Sequence, residues 1–186
     1  MKENETRILL ITGAAGGIGR ATVKVFAEKG WKVIGVDRSP KYEAFPENGI
    51  YIQADISLPE KLEEIYDKVA AFTPTLDAVV NNAAVQIAKP LVETSAEEWD
   101  RVMAVNLRGM FLCCRAVVPV MREQEYGRII NISSQVFWRG LPGFLDYTTS
   151  KAGVIGFTRA LAHEVGRDGI TVNAVAPGYT QSEGVI

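Results

Sequence analysis

The stretch Ile8-Leu9-Leu10-Ile11-Thr12-Gly13-Ala14-Ala15-Gly16-Gly17-Ile18-Gly19 decides the fold. Its first five residues are apolar almost continuously, as a strand covered on both faces of a parallel sheet must be. A glycine-rich turn follows, then a helical pattern that runs to Gly30. Glycines at such a junction permit a tight turn, close approach of backbone to a pyrophosphate, and close packing of helix on strand. The helix N-terminus adds unpaired N–H donors and a positive dipole. Gly13, Gly17, Ile18 and Gly19 are therefore candidate dinucleotide contacts. The spacing Gly13-x-x-x-Gly17-x-Gly19 differs from G-x-G-x-x-G, and it lacks the Gly-Lys-Ser/Thr ending of a nucleoside-triphosphate loop.

Outward from this unit, further short apolar runs alternate with helical patterns. The runs are Lys32–Val36, Ile50–Gln53, Ala78–Asn81, Arg128–Ile132 and Thr171–Val175. Ser57 with Glu60 reads as a capping box ahead of Leu62, Ile65 and Val69, and Ser95 with Glu98 repeats it ahead of Trp99 and Val102. Val154, Phe157, Leu161 and Val165 form a stripe that ends at Gly166 and Gly169. Ala96 to Glu125 reads as helix throughout, with a bend or break expected at Asn106 or Pro119. Repeated β-α order with right-handed crossovers gives an α/β fold, a doubly wound parallel sheet built from the six runs, in a single domain over residues 1–186.

Composition narrows the function. The chain has 186 residues, net charge −2, 47% hydrophobic and 23% charged residues, which suits one soluble globular domain and no basic nucleic-acid-binding face. One histidine and two cysteines, the neighbours Cys113 and Cys114, exclude a multi-histidine or Cys-rich metal centre; no metal is expected. Adjacent cysteines bridge only with strain, so reduced buried thiols are expected. Met1–Thr6 is polar, without the apolar core of a signal peptide, and no membrane-spanning run is read. Together these features predict a soluble cytoplasmic protein.

Candidate chemistry gathers at strand ends. Asp37 closes the second strand and lies where a carboxylate accepts the ribose hydroxyls of NAD and repels a 2′-phosphate. Asp37-Arg38-Ser39-Pro40 is also good turn sequence, and Arg38 is able to bind that phosphate instead. The reading favours NAD over NADP. Tyr147 and Lys151 are four apart on one helical face, and a nearby ammonium lowers a phenol's pKa toward the range an acid/base needs. Ser134 follows the strand that ends at Ser133, and Asn82 follows the strand Ala78–Asn81, both at carboxyl ends where open α/β sheets bind ligands.

The order Thr12-Gly13-(x)3-Gly17-x-Gly19, Asp55-Ile56, Asn81-Asn82-Ala83-Ala84, Asn106, Ser134, Tyr147-x-x-x-Lys151 and Pro177-Gly178 resembles the short-chain dehydrogenase/reductase family, from Arg7 to about Thr180. The resemblance implies a seven-stranded fold of Rossmann type, of which six strands are read here, a nicotinamide cofactor, and hydride exchange between an alcohol and a ketone or other carbonyl. By position, Tyr147 would be the general acid/base, Lys151 would lower its pKa and hold the nicotinamide ribose, and Ser134 would bond the reacting oxygen. Asn106 would hold a water of the proton relay. Asp55 and Ile56 would meet the adenine, Asn82 and Ala83 would line the cleft, and Pro177, Gly178 and Thr180 would border the nicotinamide amide. Ala84 stands where the family usually has glycine.

Val136, Phe137, Trp138, Leu141, Phe144 and Leu145 would overhang the pocket and suit an apolar or ring-bearing substrate, with Arg139 open to an anionic group. The resemblance also implies a homo-oligomer through the helices Leu107–Met121 and Val154–Val165, with Ala152, Gly153 and Gly156 allowing close approach. Against the family, the sequence stops at Ile186 before a substrate lid and a seventh strand, roughly 40–60 residues short. That leaves an alternative: a truncated, catalytically impaired NAD-binding protein acting as a binding module.

Overall fold

The computed structural model describes residues 6–181; Met1–Glu5 and the end at Ile186 fall outside them. Six parallel strands form one sheet: β1 (Ile8–Thr12), β2 (Lys32–Asp37), β3 (Ile50–Gln53), β4 (Ala78–Asn81), β5 (Gly127–Ile132) and β6 (Ile170–Val175), in the order β3-β2-β1-β4-β5-β6. Every residue of β1 is buried, as its unbroken apolar run requires.

Its side chains divide with a period of two. Ile8 and Leu10 join Ile34, Val36, Val79 and Ile129 on one face, while Leu9 and Ile11 join Val33, Val80 and Val23 on the other. The first face is covered by α2 (Pro59–Phe72), α4 (Met110–Glu123) and α6 (Leu145–Val165). The second is covered by α1 (Gly17–Glu28) and by Phe45, with Phe26, Trp31 and Tyr51 packed around it.

The two expected capping boxes have different outcomes. Before α3 (Ala96–Met103), Ser95 Oγ accepts the Glu98 N–H at 3.2 Å and Glu98 Oε2 accepts the Ser95 N–H at 3.0 Å. Before α2 the box does not form. Leu58 is the N-cap, with extended φ −98° and ψ 110°, because the residue ahead of Pro59 is kept out of helical conformation. Ser57 turns instead to Asp55, whose Oδ1 accepts its N–H at 2.9 Å and its hydroxyl at 2.7 Å.

The long helical run is continuous from α3 through α4, and the break falls at Asn106, as a π-helical stretch over Ala104–Gly109. Pro119 sits inside α4 without ending it. By length and apolarity alone, Ala96–Glu123 is able to cross a membrane, but more than half of its most apolar window is buried within the fold.

β1 and β4 lie side by side with Thr12 opposite Asn81, although α1, β2, β3 and α2 separate them in the chain. The connections leave these two strands in opposite directions, which opens a crevice beyond their carboxyl ends.

Candidate active site

The crevice is built from the loop after each strand. After β1, Gly13 has φ +69°, and a Cβ there would stand 2.8 Å from the Cα of Ala83. Thr12 Oγ1 accepts the N–H groups of Asn82 and Ala83 at 3.1 and 3.2 Å, and Asn82 Nδ2 donates to the carbonyls of Thr12 and Gly13 at 3.2 and 3.0 Å. The two loops are thus latched across the switch point. Gly16 precedes α1 with no side-chain cap and no acidic residue in the first turn, so that turn's N–H groups and dipole face the crevice unopposed. A glycine cradle beneath an uncapped helix N-terminus fits the pyrophosphate of a dinucleotide.

One half of the crevice, about 310 Å³, is walled by Gly13, Gly17, Ile18, Asp37, Arg38, Asp55, Ile56, Asn82 and Ala83. The other, about 390 Å³, is walled by Ser134, Tyr147, Lys151, Pro177, Gly178 and Thr180. Ile18, Asn82 and Ala84 border both halves, which makes them one crevice. Two expected site residues are not on its walls. Gly19 is buried behind the loop, packed against the Gly13 carbonyl. Asn106 is buried as well; its Oδ1 accepts the Val85 N–H at 2.8 Å, and its Nδ2 donates to the Val85 carbonyl at 2.9 Å and to Ser150 Oγ at 3.1 Å.

Of the residues expected to overhang the reactive half, Val136, Leu141 and Phe144 line it, whereas Phe137, Trp138 and Leu145 do not. Tyr147 opens α6 and Ser134 follows β5 by two residues, so sheet and helix each fix one reactive hydroxyl. Lys151 is buried; its Nζ donates to the Ile132 carbonyl at 2.7 Å and lies 5.6 Å from the Tyr147 ring centroid.

The electrostatics correct one expectation. The phenol of Tyr147 is raised above its ordinary value by burial, with a hydrogen bond to Ser134 opposing, so its net shift is upward and not the expected lowering. Lys151 is itself pushed down to about 8 by burial. The unfolded chain keeps that proton up to an ordinary value of 10.5, so between these limits it binds more protons than the folded one and stability rises with pH. From about pH 7.5 to about 10.5 the wild type should therefore gain about 3 kcal/mol over Lys151→Met. Urea unfolding of both proteins at each pH checks this, and equal changes in the two would contradict it.

Thr12, quoted in the glycine motif without a role, and two serines outside the recognised motifs hold this site. Thr12 bridges the loops, Ser133 Oγ donates to the Lys151 carbonyl at 2.8 Å, and Ser150 Oγ donates to the Tyr147 carbonyl at 2.7 Å. The available signal was polarity at positions the pattern buries, since Thr12, Ser133 and Ser150 are all core positions. Arg101 also walls the nucleotide half and carries no such signal.

The description "short chain dehydrogenase" matches residues 7–185 of this chain. A 3-oxoacyl-[acyl-carrier-protein] reductase FabG of Thermotoga maritima is 39% identical over 186 residues, 96% of this chain and 76% of that protein. The FabG of Vibrio cholerae is 36% identical over 184 residues, 96% of this chain and 75% of that protein. Among solved structures, a 3-ketoacyl-(acyl-carrier-protein) reductase from Brucella melitensis complexed with NADH has TM-score 0.89 and 30% identity, covering 94% of this chain and 76% of that one. ElxO with NADP bound has TM-score 0.91 and 29% identity, covering 97% and 77%. The reading as a non-catalytic binding module finds no support among these relatives.

The expected preference for NAD over NADP is overturned. Neighbours of equal likeness hold NADH in one case and NADP in the other. The geometry gives a reason: Asp37 holds the loop, its Oδ2 accepting the Ala15 N–H at 2.9 Å and its Oδ1 the Ser39 N–H at 2.8 Å, while Arg38 is exposed on the same wall. Asp37→Ala should accordingly weaken NAD and NADP by similar factors, within about threefold of each other, each loop bond being worth about 1 kcal/mol or more. Calorimetric titration with each dinucleotide checks this, and a loss confined to NAD would contradict it. In sequence, sheet order and crevice alike, the chain belongs to the short-chain dehydrogenase family of oxidoreductases.

Proposed function

We propose that this protein exchanges hydride between a nicotinamide dinucleotide and an alcohol or carbonyl substrate, with Tyr147 as general acid/base. The observation that carries the reading is the single crevice joining a glycine cradle to Ser134, Tyr147 and Lys151. The dinucleotide, when bound, supplies or accepts the hydride. Asp55 and Ile56 take its adenine end, Arg38 and Asp37 border its ribose, and Pro177, Gly178 and Thr180 border its nicotinamide. Gln135 supports that last segment, donating its N–H to the Pro177 carbonyl at 3.0 Å.

Tyr147 gives a proton to the carbonyl oxygen during reduction and takes it back during oxidation, while Ser134 bonds the same oxygen. Lys151 holds the ribose and stands as the cation beside the Tyr147 ring. Asn106 serves the relay by positioning, through Ser150 to the Tyr147 carbonyl and through Val85 to the cleft wall. The names of the 3-oxoacyl-[acyl-carrier-protein] reductases support carbonyl reduction as the working direction. The buried free thiols Cys113 and Cys114 support a reducing compartment, the cytoplasm.

Secondary alcohols and ketones offered with NAD(H) and NADP(H) test the activity by the absorbance of reduced nicotinamide. Turnover with either cofactor is expected. Tight dinucleotide binding with no turnover of any substrate would favour a binding module instead.

We also propose a homo-oligomer through α4 and α6. Phe111 is 43% exposed there, stacked edge-on with Phe157 at 6.4 Å, beside an apolar groove that includes Val118, Pro119 and Leu161. Ala152 and Gly156 face outward, whereas Gly153 is already packed on Leu107. Phe111→Arg should reduce the mass measured by light scattering to that of a monomer; an unchanged mass would rule this surface out.

A further inference from the structure

We infer that the reactive half of the crevice takes a substrate bearing a carboxylate or comparable anionic group, and that Arg139 recognises that group. The inference depends on the proposed function only in assigning this half to the substrate.

Its wall carries two basic side chains, Lys151 and Arg139, and no Asp or Glu among the described residues. Lys151 is engaged by the Ile132 carbonyl. Arg139 has no ion-pair, ring or side-chain hydrogen-bond partner among the described residues. Arg122, Arg108 and Arg115 are engaged by Asp168, the Ser57 carbonyl and the Phe111 ring. Arg38, Arg101, Arg159 and Arg167 share Arg139's lack of a side-chain partner among the described residues, so what sets Arg139 apart is its place on this pocket's wall. An unpaired guanidinium on a wall without carboxylates leaves the pocket with a positive field and a two-pronged donor, the arrangement that selects planar oxyanions.

The position of Arg139 is set by the same turn that carries the reactive hydroxyl. Ser134 Oγ accepts the Val136 N–H at 3.2 Å, which anchors the one-turn helix α5 (Val136–Arg139). Gly140, left-handed at φ 57°, closes it with an N–H bond to the Val136 carbonyl at 2.9 Å. The backbone of Arg139 is thereby held at a fixed offset from Ser134, and apolar Val136, Leu141 and Phe144 line the same pocket. A substrate with an apolar body besides its reacting oxygen and an acidic group matches this lining.

A second lining segment is pinned as well. Gln86 lines the pocket from a short segment fixed at one end by Asn106 on Val85 and at the other by the Lys89 N–H on the Gly143 carbonyl at 2.9 Å. Its amide adds a donor to those that Arg139 and Gln135 bring to the same pocket.

Calorimetric titration of the full chain with cyclohexanecarboxylate and with cyclohexanecarboxamide, each with dinucleotide present, tests the inference without requiring turnover. The carboxylate should bind about tenfold tighter than the amide, Arg139→Gln should equalise them, and Arg139→Lys should restore part of the difference. NAD and NADP affinities should be unchanged in Arg139→Gln. The inference is overturned if the two probes bind alike, if neither binds, or if Arg139→Gln preserves the preference. It is also overturned if Arg139→Gln weakens the dinucleotides instead, because the guanidinium would then serve the cofactor. Carboxylate selection with no alcohol oxidised would leave the anion site standing and remove the dehydrogenase reading; turnover without selection would do the reverse.

Discussion

Tyr147→Phe should lower kcat by about 10³-fold, close to 4 kcal/mol of barrier, and leave dinucleotide affinity within about threefold of wild type. The substitution removes one hydroxyl and keeps the ring, which is the part that lies 5.6 Å from Lys151 Nζ. The backbone tie from Ser150 to the Tyr147 carbonyl is unaffected, so the start of α6 and the position of Lys151 persist. What disappears is the group that gives or takes the proton at the substrate oxygen, together with its hydrogen bond to Ser134. Steady-state rates and calorimetric dinucleotide titrations, compared side by side, read the two effects separately. Activity within tenfold of wild type would assign the proton transfer to another group.

Gly19→Ala should be the most damaging substitution outside the reactive residues. Gly19 is buried, and a Cβ there would run into the Gly13 carbonyl and stand 3.0 Å from the Ala14 Cα. Both obstacles are backbone, and the Gly13 carbonyl is already held by Asn82 at 3.0 Å, so the loop has to move as a unit. Overpacking of this kind costs about 2–3 kcal/mol, a fall in Tm of roughly 5–10 °C for a chain of this size. Dinucleotide affinity should fall by at least about a hundredfold, because binding depends on several loop N–H groups held in one geometry. Gly166→Ala is the internal control. A Cβ at Gly166 meets nothing within 4 Å, and the residue is already helical at φ −60° and ψ −31° just after α6, so stability should rise by up to about 1 kcal/mol. A Gly19→Ala protein that binds dinucleotide as wild type does would contradict the cradle.

The fold was legible because burial on both faces leaves a mark that needs no partner to interpret. β1 and β4 are buried end to end and apolar up to their last residues, Thr12 and Asn81, and the turn after β1 is glycine-rich. The parallel sheet and its first strand–turn–helix unit are therefore legible, whereas the place of β4 beside β1 is set by tertiary packing. Ser95 and Ser57 show where local reading stops. Their sequences share the same spacing, but Pro59 moves the second helix start by one residue and delivers Ser57 to Asp55.

Within the site, the reactive residues were legible as a set, and their electrostatics were not. A lysine four residues from a tyrosine suggests a lowered phenol pKa, yet burial acts on both groups and pushes Tyr147 up and Lys151 down. The cofactor preference drawn from Asp37 fails for a related reason. A carboxylate at the end of β2 suits either a ribose or a loop, and only the path of the glycine turn brings the Ala15 N–H to 2.9 Å from it. Of the two positions expected to break the long helix, Asn106 and Pro119, the π-helical stretch falls at Asn106, but the link from Asn106 to Val85, 21 residues earlier, depends on tertiary placement.

The proposed hydride exchange has one direct observable. A secondary alcohol deuterated at the carbinol carbon, incubated with the protein and oxidised dinucleotide, should yield reduced dinucleotide carrying one deuterium, detected by mass spectrometry, with Tyr147→Phe forming almost none. Reduced dinucleotide without the label, or product formed equally by the Tyr147→Phe protein, would contradict direct transfer assisted by Tyr147.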